Sequence, residues 1–189
     1  MRRKLTILPI LPVLALGLIA GAASIVPGLS ADAADNSATR VMRAAPALGA
    51  ELTGWTFKHP SGESHSLSDY RGKVVVLDFW ATWCGPCKRA MPGMQKMHDK
   101  YKDRGVVVIG MNTFDRSGDP AAYMKKQGYD YTLLLNTDSA AEKYGVRSIP
   151  TFFVAGADGK LAWQGSGGGK STHDKIIRTV ERELRKANL

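Results

Sequence analysis

Cysteine is the scarcest of the reactive residues in this chain: 189 residues carry two, Cys84 and Cys87. A disulfide framework needs several cysteines spread along the sequence, so a pair three positions apart is there for reactivity rather than for stapling. Histidine is nearly as sparse, with four residues at 59, 65, 98 and 173. A zinc site built on the cysteine pair would need two more Cys or His ligands. No metal and no other cofactor is expected. Long runs of one charge are also missing. No Lys/Arg run exceeds three residues, and aromatics do not interleave with basic clusters. The formal charge of +9 therefore reads as a generally basic surface and excludes a nucleic-acid module. What is present, 44% hydrophobic and 23% charged residues, is the composition of a globular protein. The length allows one ordinary domain and an extra segment.

The long uncharged run lies at the N-terminus. Arg2, Arg3 and Lys4 precede an apolar stretch from Leu5 to Ser30, and small residues follow around Ala31-Asp32-Ala33. A basic head, an apolar middle and a small-residue cleavage site make up an export signal. Cleavage is expected after Ala33, with Ala20-Gly21-Ala22 as an earlier candidate. The run is also long enough to cross a bilayer, so residues 1–33 are either a signal peptide or an uncleaved anchor. In both cases the positive-inside bias puts the rest of the chain outside the cytoplasm, in the periplasm or on the outer face of the membrane. Membrane contact is expected only through this segment. Residues 34–50 are small, polar and Ala-rich and read as a flexible linker. The motif-rich domain is residues 51–189.

Within that domain, His59-Pro60-Ser61-Gly62 is a turn between two short stretches and predicts a hairpin. Lys73–Trp80 is β-branched, aromatic and almost wholly apolar, as in a strand covered on both faces. Helical spacing runs from Cys87 through Met91, Met94, Met97 and Tyr101, with Pro92 interrupting it. Val106–Met111 predicts a second buried strand. Asp119-Pro120 offers an N-cap and a first-turn proline for a helix towards Gln127. A third strand is expected over Tyr131–Leu135 and a short helix over Ser139–Tyr144. Thr151–Ala155 and Lys160–Gln164 flank the turn Gly156-Ala157-Asp158-Gly159. Ser171-Thr172-His173-Asp174 has the form of a capping box, and Ile176, Ile177, Val180 and Leu184 share one face of a last helix. This order predicts an α/β fold with a mixed sheet.

The cysteines sit in Trp83-Cys84-Gly85-Pro86-Cys87-Lys88. Thiol–disulfide exchange needs one thiolate that attacks and a second thiol close enough to resolve the mixed disulfide. At the start of a helix, Cys84 would meet free backbone N–H groups and the positive end of the macrodipole, which favour its thiolate. Cys87, one turn inside, suits the resolving role. Pro86 falls in the first turn, where its missing N–H costs nothing. Asp78 lies inside the apolar strand, where desolvation would raise its pKa and let it exchange a proton with Cys87. The alternative is an ordinary strand aspartate satisfied by hydrogen bonds.

The segment Asp78-Phe79-Trp80-Ala81-Thr82-Trp83-Cys84-Gly85-Pro86-Cys87-Lys88 resembles the active-site strand and helix start of the thioredoxin superfamily. Pro92 matches the proline inside that family's active-site helix. Ser148-Ile149-Pro150-Thr151, preceded by Tyr144-Gly145-Val146, resembles its cis-proline loop. Gly165 matches a glycine that lies near the dithiol. The likeness covers residues 51–187 and is greatest to the exported branch typified by TlpA and ResA. The lead Ser64–Lys73 and the long stretch between Val106 and Pro150 carry this. The resemblance implies a thioredoxin-like fold: a mixed central sheet flanked by helices, with a β-α insertion and an N-terminal β-hairpin. It implies Cys84, Cys87 and Asp78 as catalytic residues, with Trp83, Gly85, Pro86, Ile149, Pro150 and Gly165 facing the substrate. It also implies cysteine-containing exported proteins as substrates, apocytochrome c among them, a membrane electron donor, and a monomer. Two positions depart from the pattern. Gly110 stands where cytoplasmic thioredoxins carry a lysine, and Gly85-Pro86 replaces the acidic residue common in this branch. A thioredoxin-fold thiol peroxidase is the second reading, although Thr82 is two residues before Cys84 where peroxidases place it three before. A non-catalytic protein-binding module is the third.

Overall fold

A computed structural model describes residues 44–189; the signal or anchor expected over 1–33, and the linker as far as 43, lie outside the described residues. Strands β1 (Thr56–Lys58) and β2 (Ser64–Ser66) form the predicted hairpin, antiparallel in register Phe57 to His65. A 3-10 turn over Leu67–Tyr70 leads into β3 (Val74–Trp80), which is buried along its whole length. Helix α1 (Gly85–Tyr101) follows, then β4 (Val106–Asn112), α2 (Pro120–Gln127), β5 (Thr132–Leu134), α3 (Asp138–Lys143), β6 (Thr151–Ala155), β7 (Leu161–Ser166) and α4 (Lys170–Ala187). The five-stranded sheet has the order β5-β4-β3-β6-β7. β3, β4 and β5 run parallel, and β6 and β7 are antiparallel to their neighbours. The fold is therefore α/β with a mixed sheet.

Alternation along the central strand separates two cores. Val74, Val76 and Trp80 face a cluster with Met91, Met94 and Met97 of α1 and Ile176, Val180 and Leu184 of α4. Val75, Leu77 and Phe79 face the other cluster, with Trp55, Leu67, Tyr70, Tyr144 and Phe153. Asp78 belongs to the first face, beneath α1. The insertion, α2 and β5, closes the same face: Met124, Tyr131 and Leu133 join that cluster, and the Tyr123 ring lies 5.8 Å from Trp80. Residues 49–52 run beside the β6–β7 hairpin, with Gly49 N–H donating to Leu161 O and Leu52 N–H to Gly159 O.

Two local expectations differ from the structure. Helix α1 is not interrupted at Pro92; it runs through it to Tyr101. Proline removes one N–H from the ladder, and the buried row of Met91, Met94 and Met97 holds the helix on either side. The box expected at Ser171–Asp174 does not form. α4 starts two residues earlier than that box would set it, at Lys170, behind an extended Gly169 that offers no side-chain cap, and Asp174 instead accepts from Lys170 Nζ at 2.9 Å. Among the described residues no helix is long and apolar enough to cross a membrane.

Candidate active site

Strand β3 ends at Trp80, and the chain turns through Ala81–Trp83 to set Cys84 as the N-cap residue of α1. The cap conformation is extended (φ −82°, ψ 98°), so Cys84 Sγ points back over the first turn and accepts the Cys87 N–H at 3.2 Å. An acceptor at this position is what a helix start favours, and it stabilises negative charge on that sulfur. The two cysteines are joined as a disulfide. Both side chains are buried, Cys87 completely, whereas Gly85 and Pro86 are exposed.

A second loop faces the turn. The Ile149–Pro150 peptide is cis, and the Ile149 carbonyl oxygen lies 3.7 Å from Cys84 Sγ. Gly167 N–H donates to Pro150 O at 2.9 Å. A Cβ on Gly168 would lie 2.8 Å from Pro86 O and 3.6 Å from Pro150 Cγ. The segment Gly167-Gly168-Gly169 therefore closes against both the reactive turn and the Pro150 loop. Gly165 pairs with Phe152 in the β6–β7 ladder, under the Trp163 ring; the glycine in direct contact with the turn is Gly168, which the sequence reading did not single out. Three consecutive glycines after a strand were the available signal.

Asp78 is fully buried, and neither carboxyl oxygen has a hydrogen-bond partner among the described residues. No described residue supplies the hydrogen bonds that an ordinary strand aspartate would need. Burial pushes its carboxyl up to about 8. Across the β3–β4 ladder its register partner is Gly110. With no side chain there, Trp80 Nε1 and Tyr131 Cε2 come to 3.0 and 3.1 Å of where a Cβ would be. Trp80 Nε1 and the Tyr131 hydroxyl are likewise without partners. Burial first, and then the charge of Asp78, hold the Tyr131 phenol well above its ordinary value. Gly110 and the Tyr131 phenol thus line the space beside Asp78, and among the described residues no cation pairs with its carboxyl.

Trp83 is 61% exposed, yet its Nε1–H donates to Phe114 O at 2.9 Å. The loop after β4 that receives it went unread in the sequence, because Thr82 and Asp115, which meet there, are 33 positions apart. Lys88 does not approach the sulfurs through any contact seen here; its Nζ lies 4.9 Å over the Tyr123 ring of α2.

The AhpC/TSA family model matches residues 43–164. The chain belongs to the AhpC/TSA family. Among curated AhpC/TSA-like relatives, the thiol–disulfide oxidoreductase ResA of Geobacillus thermodenitrificans is 32% identical over 120 residues, covering 63% of this chain and 69% of the relative. A thiol:disulfide interchange protein of the thioredoxin family from Chlorobium tepidum superposes with a TM-score of 0.64 at 26% identity, over 74% of this chain and 99% of that one. A secreted thiol–disulfide isomerase from Corynebacterium glutamicum gives 0.63 at 25% identity, over 71% and 85%. With the Cys84–Cys87 pair at the start of α1, this AhpC/TSA member is a thioredoxin-like thiol–disulfide oxidoreductase.

Proposed function

We propose that the enzyme reduces disulfides in exported proteins, apocytochrome c being one candidate, with Cys84 as attacker, Cys87 as resolver and Asp78 as proton acceptor. The observation that carries this reading is the Cys84 sulfur at the helix N-cap, accepting the Cys87 N–H beside the Ile149 carbonyl. In the reduced enzyme the Cys84 thiolate attacks a client disulfide, and one client sulfur leaves and takes a proton. Cys87 passes its proton to ionised Asp78 and attacks Cys84 Sγ. The Cys84–client bond breaks, the second client thiol leaves, and two electrons have moved from the dithiol to the client. An electron donor at the membrane restores the dithiol. Trp83, Gly85, Pro86, Ile149 and Pro150 form the wall that the client strand meets, with Gly165 behind them on β7.

Reduction is favoured over oxidation because Gly85-Pro86 leaves the turn without a histidine between the cysteines. Placement outside the cytoplasm is supported by the N-terminal residues 1–33 and by the description of the Corynebacterium glutamicum neighbour as secreted. Either cleavage after Ala33 or retention as an anchor gives this placement, and the enzyme acts as a monomer.

Cys87→Ser is expected to accumulate disulfide-linked clients on Cys84, identified by mass spectrometry, and Cys84→Ser to accumulate none. Full function of Cys84→Ser would sink the catalytic reading in favour of a binding module. Peroxide consumption with a dithiol donor, at rates exceeding disulfide reduction, would favour a peroxidase. A reduction potential near that of oxidising periplasmic enzymes would reverse the direction.

A further inference from the structure

The reactive turn is held from outside its own helix. In the loop after β4, Asp115 accepts four hydrogen bonds. Its Oδ2 takes Thr82 N–H at 2.6 Å and Asn112 Nδ2–H at 2.9 Å; its Oδ1 takes the Thr82 hydroxyl at 2.8 Å and Gly118 N–H at 3.2 Å. Partial burial works against the charged form, but these bonds outweigh it and hold the Asp115 carboxyl below its ordinary value. Next to it, Asp138 in the first turn of α3 accepts Phe114 N–H at 2.7 Å and the Thr113 hydroxyl at 3.2 Å. Phe114 is thereby held in the left-handed region (φ 53°), which a bulky residue seldom adopts. Its carbonyl then points at the Trp83 indole and accepts Nε1–H. The two segments also touch directly: a Cβ on Gly118 would overlap the Thr82 hydroxyl and lie 2.7 Å from Thr82 Cβ.

An exposed tryptophan on a loose turn would lose its freedom when a partner packed against it. One already fixed by hydrogen bonds loses little, and that difference appears as affinity. We propose that Asp115 and Asp138 are positioning residues for client binding: Asp115 fixes Thr82 and Asp138 fixes Phe114, so that Trp83 stands as a preformed wall beside Cys84 before a client protein arrives. This rests on the reading of Trp83 as client-facing. Neither carboxylate touches a sulfur in this arrangement, so both act through the turn.

The test uses the full chain with Asp115→Ala, Asp115→Asn, Gly118→Ala and Trp83→Ala. The readouts are hydrogen exchange of the Trp83 indole N–H by NMR, KM and kcat for insulin reduction, and the rate with the small disulfide hydroxyethyl disulfide. In Asp115→Ala, Trp83 indole exchange rises about tenfold and the insulin KM rises by roughly the same factor, while kcat and the small-disulfide rate fall less than about threefold. Asp115→Asn keeps one acceptor oxygen and falls between wild type and Asp115→Ala. Gly118→Ala leaves every charge in place and moves exchange and KM in the same direction, which separates positioning from a field effect on Cys84. Unchanged Trp83 exchange in Asp115→Ala and Gly118→Ala overturns the proposal, as does a proportional loss on insulin and the small disulfide. An unchanged insulin KM in Trp83→Ala overturns the client-facing reading itself, whatever the exchange data show.

Discussion

Asp78 concentrates the electrostatic cost of this fold in one side chain. Its carboxyl is fully buried and pushed up to about 8, whereas an aspartate in an unfolded chain titrates near ~3.9. Between those values the folded chain binds a proton that the unfolded chain has released. Stability therefore falls as pH rises from about 4 to about 8 and is level above that. Asp78→Asn stays neutral throughout. It is expected to exceed wild type by a few kcal/mol at about pH 8 and to lose that advantage near pH 4, as read from denaturant unfolding at both pH values. An advantage of equal size at both would rule out burial of charge as its cause. The same variant should slow resolution of a Cys84 mixed disulfide and remove the inflection near 8 from its pH profile, followed by stopped-flow release of the client thiol.

At the scale of elements, two glycines side by side separate a structural requirement from a permissive one. A Cβ on Gly168 would meet the Pro86 carbonyl, a backbone atom that cannot swing away, whereas one on Gly169 would meet nothing within 4 Å. Gly168→Ala is expected to cost about 1–3 kcal/mol and to slow the reaction of Cys84 with disulfides, because the turn or the loop must shift. Gly169→Ala, at the α4 N-cap, should cost up to about 1 kcal/mol as a poorer cap and leave the Cys84 rate within error; an equal slowing of Cys84 in the two would show that contact with the turn is not what matters. Helix α2 gives a cleaner energetic test. The Asp119 carboxyl accepts Ala122 N–H at 2.9 Å, so Asp119→Ala should cost about 1 kcal/mol and lower Tm by a few degrees in calorimetry, with no change in the chemistry of Cys84. Much at this scale was readable from sequence. Caps, turns and apolar runs are local signals, and the hairpin at His59–Gly62, the strand Val74–Trp80 and the helix from Pro120 lie where those signals put them. The box at Ser171 failed because a helix boundary is decided by a residue or two, and Lys170 could begin the helix behind an extended glycine.

For the whole molecule, the proposed export is what would give a reducing dithiol its use, since thiols outside the cytoplasm face oxidising conditions. With reduced enzyme in intact cells, a membrane-impermeant thiol reagent is expected to label Cys84, and intact-mass measurement of the purified chain should find it starting after Ala33 or keeping Met1. Protection of Cys84 until the cells are lysed would place the domain on the cytoplasmic side. Sequence alone determined the cysteine pair and its spacing, the buried strand that carries Asp78, the Pro150 loop and the order of elements, because each is written in neighbouring residues. Only the tertiary structure decided the rest. The strand order β5-β4-β3-β6-β7 set Gly110 opposite Asp78 and the insertion's Tyr131 over both, so that among the described residues no cation pairs with the carboxyl. Packing likewise brought Gly168 onto Pro86, Asp115 onto Thr82 in the turn, and Asp138 onto Phe114, whose carbonyl takes the Trp83 indole N–H. Those contacts join residues far apart in the chain, and no local period or spacing records a meeting that exists only once the sheet has formed.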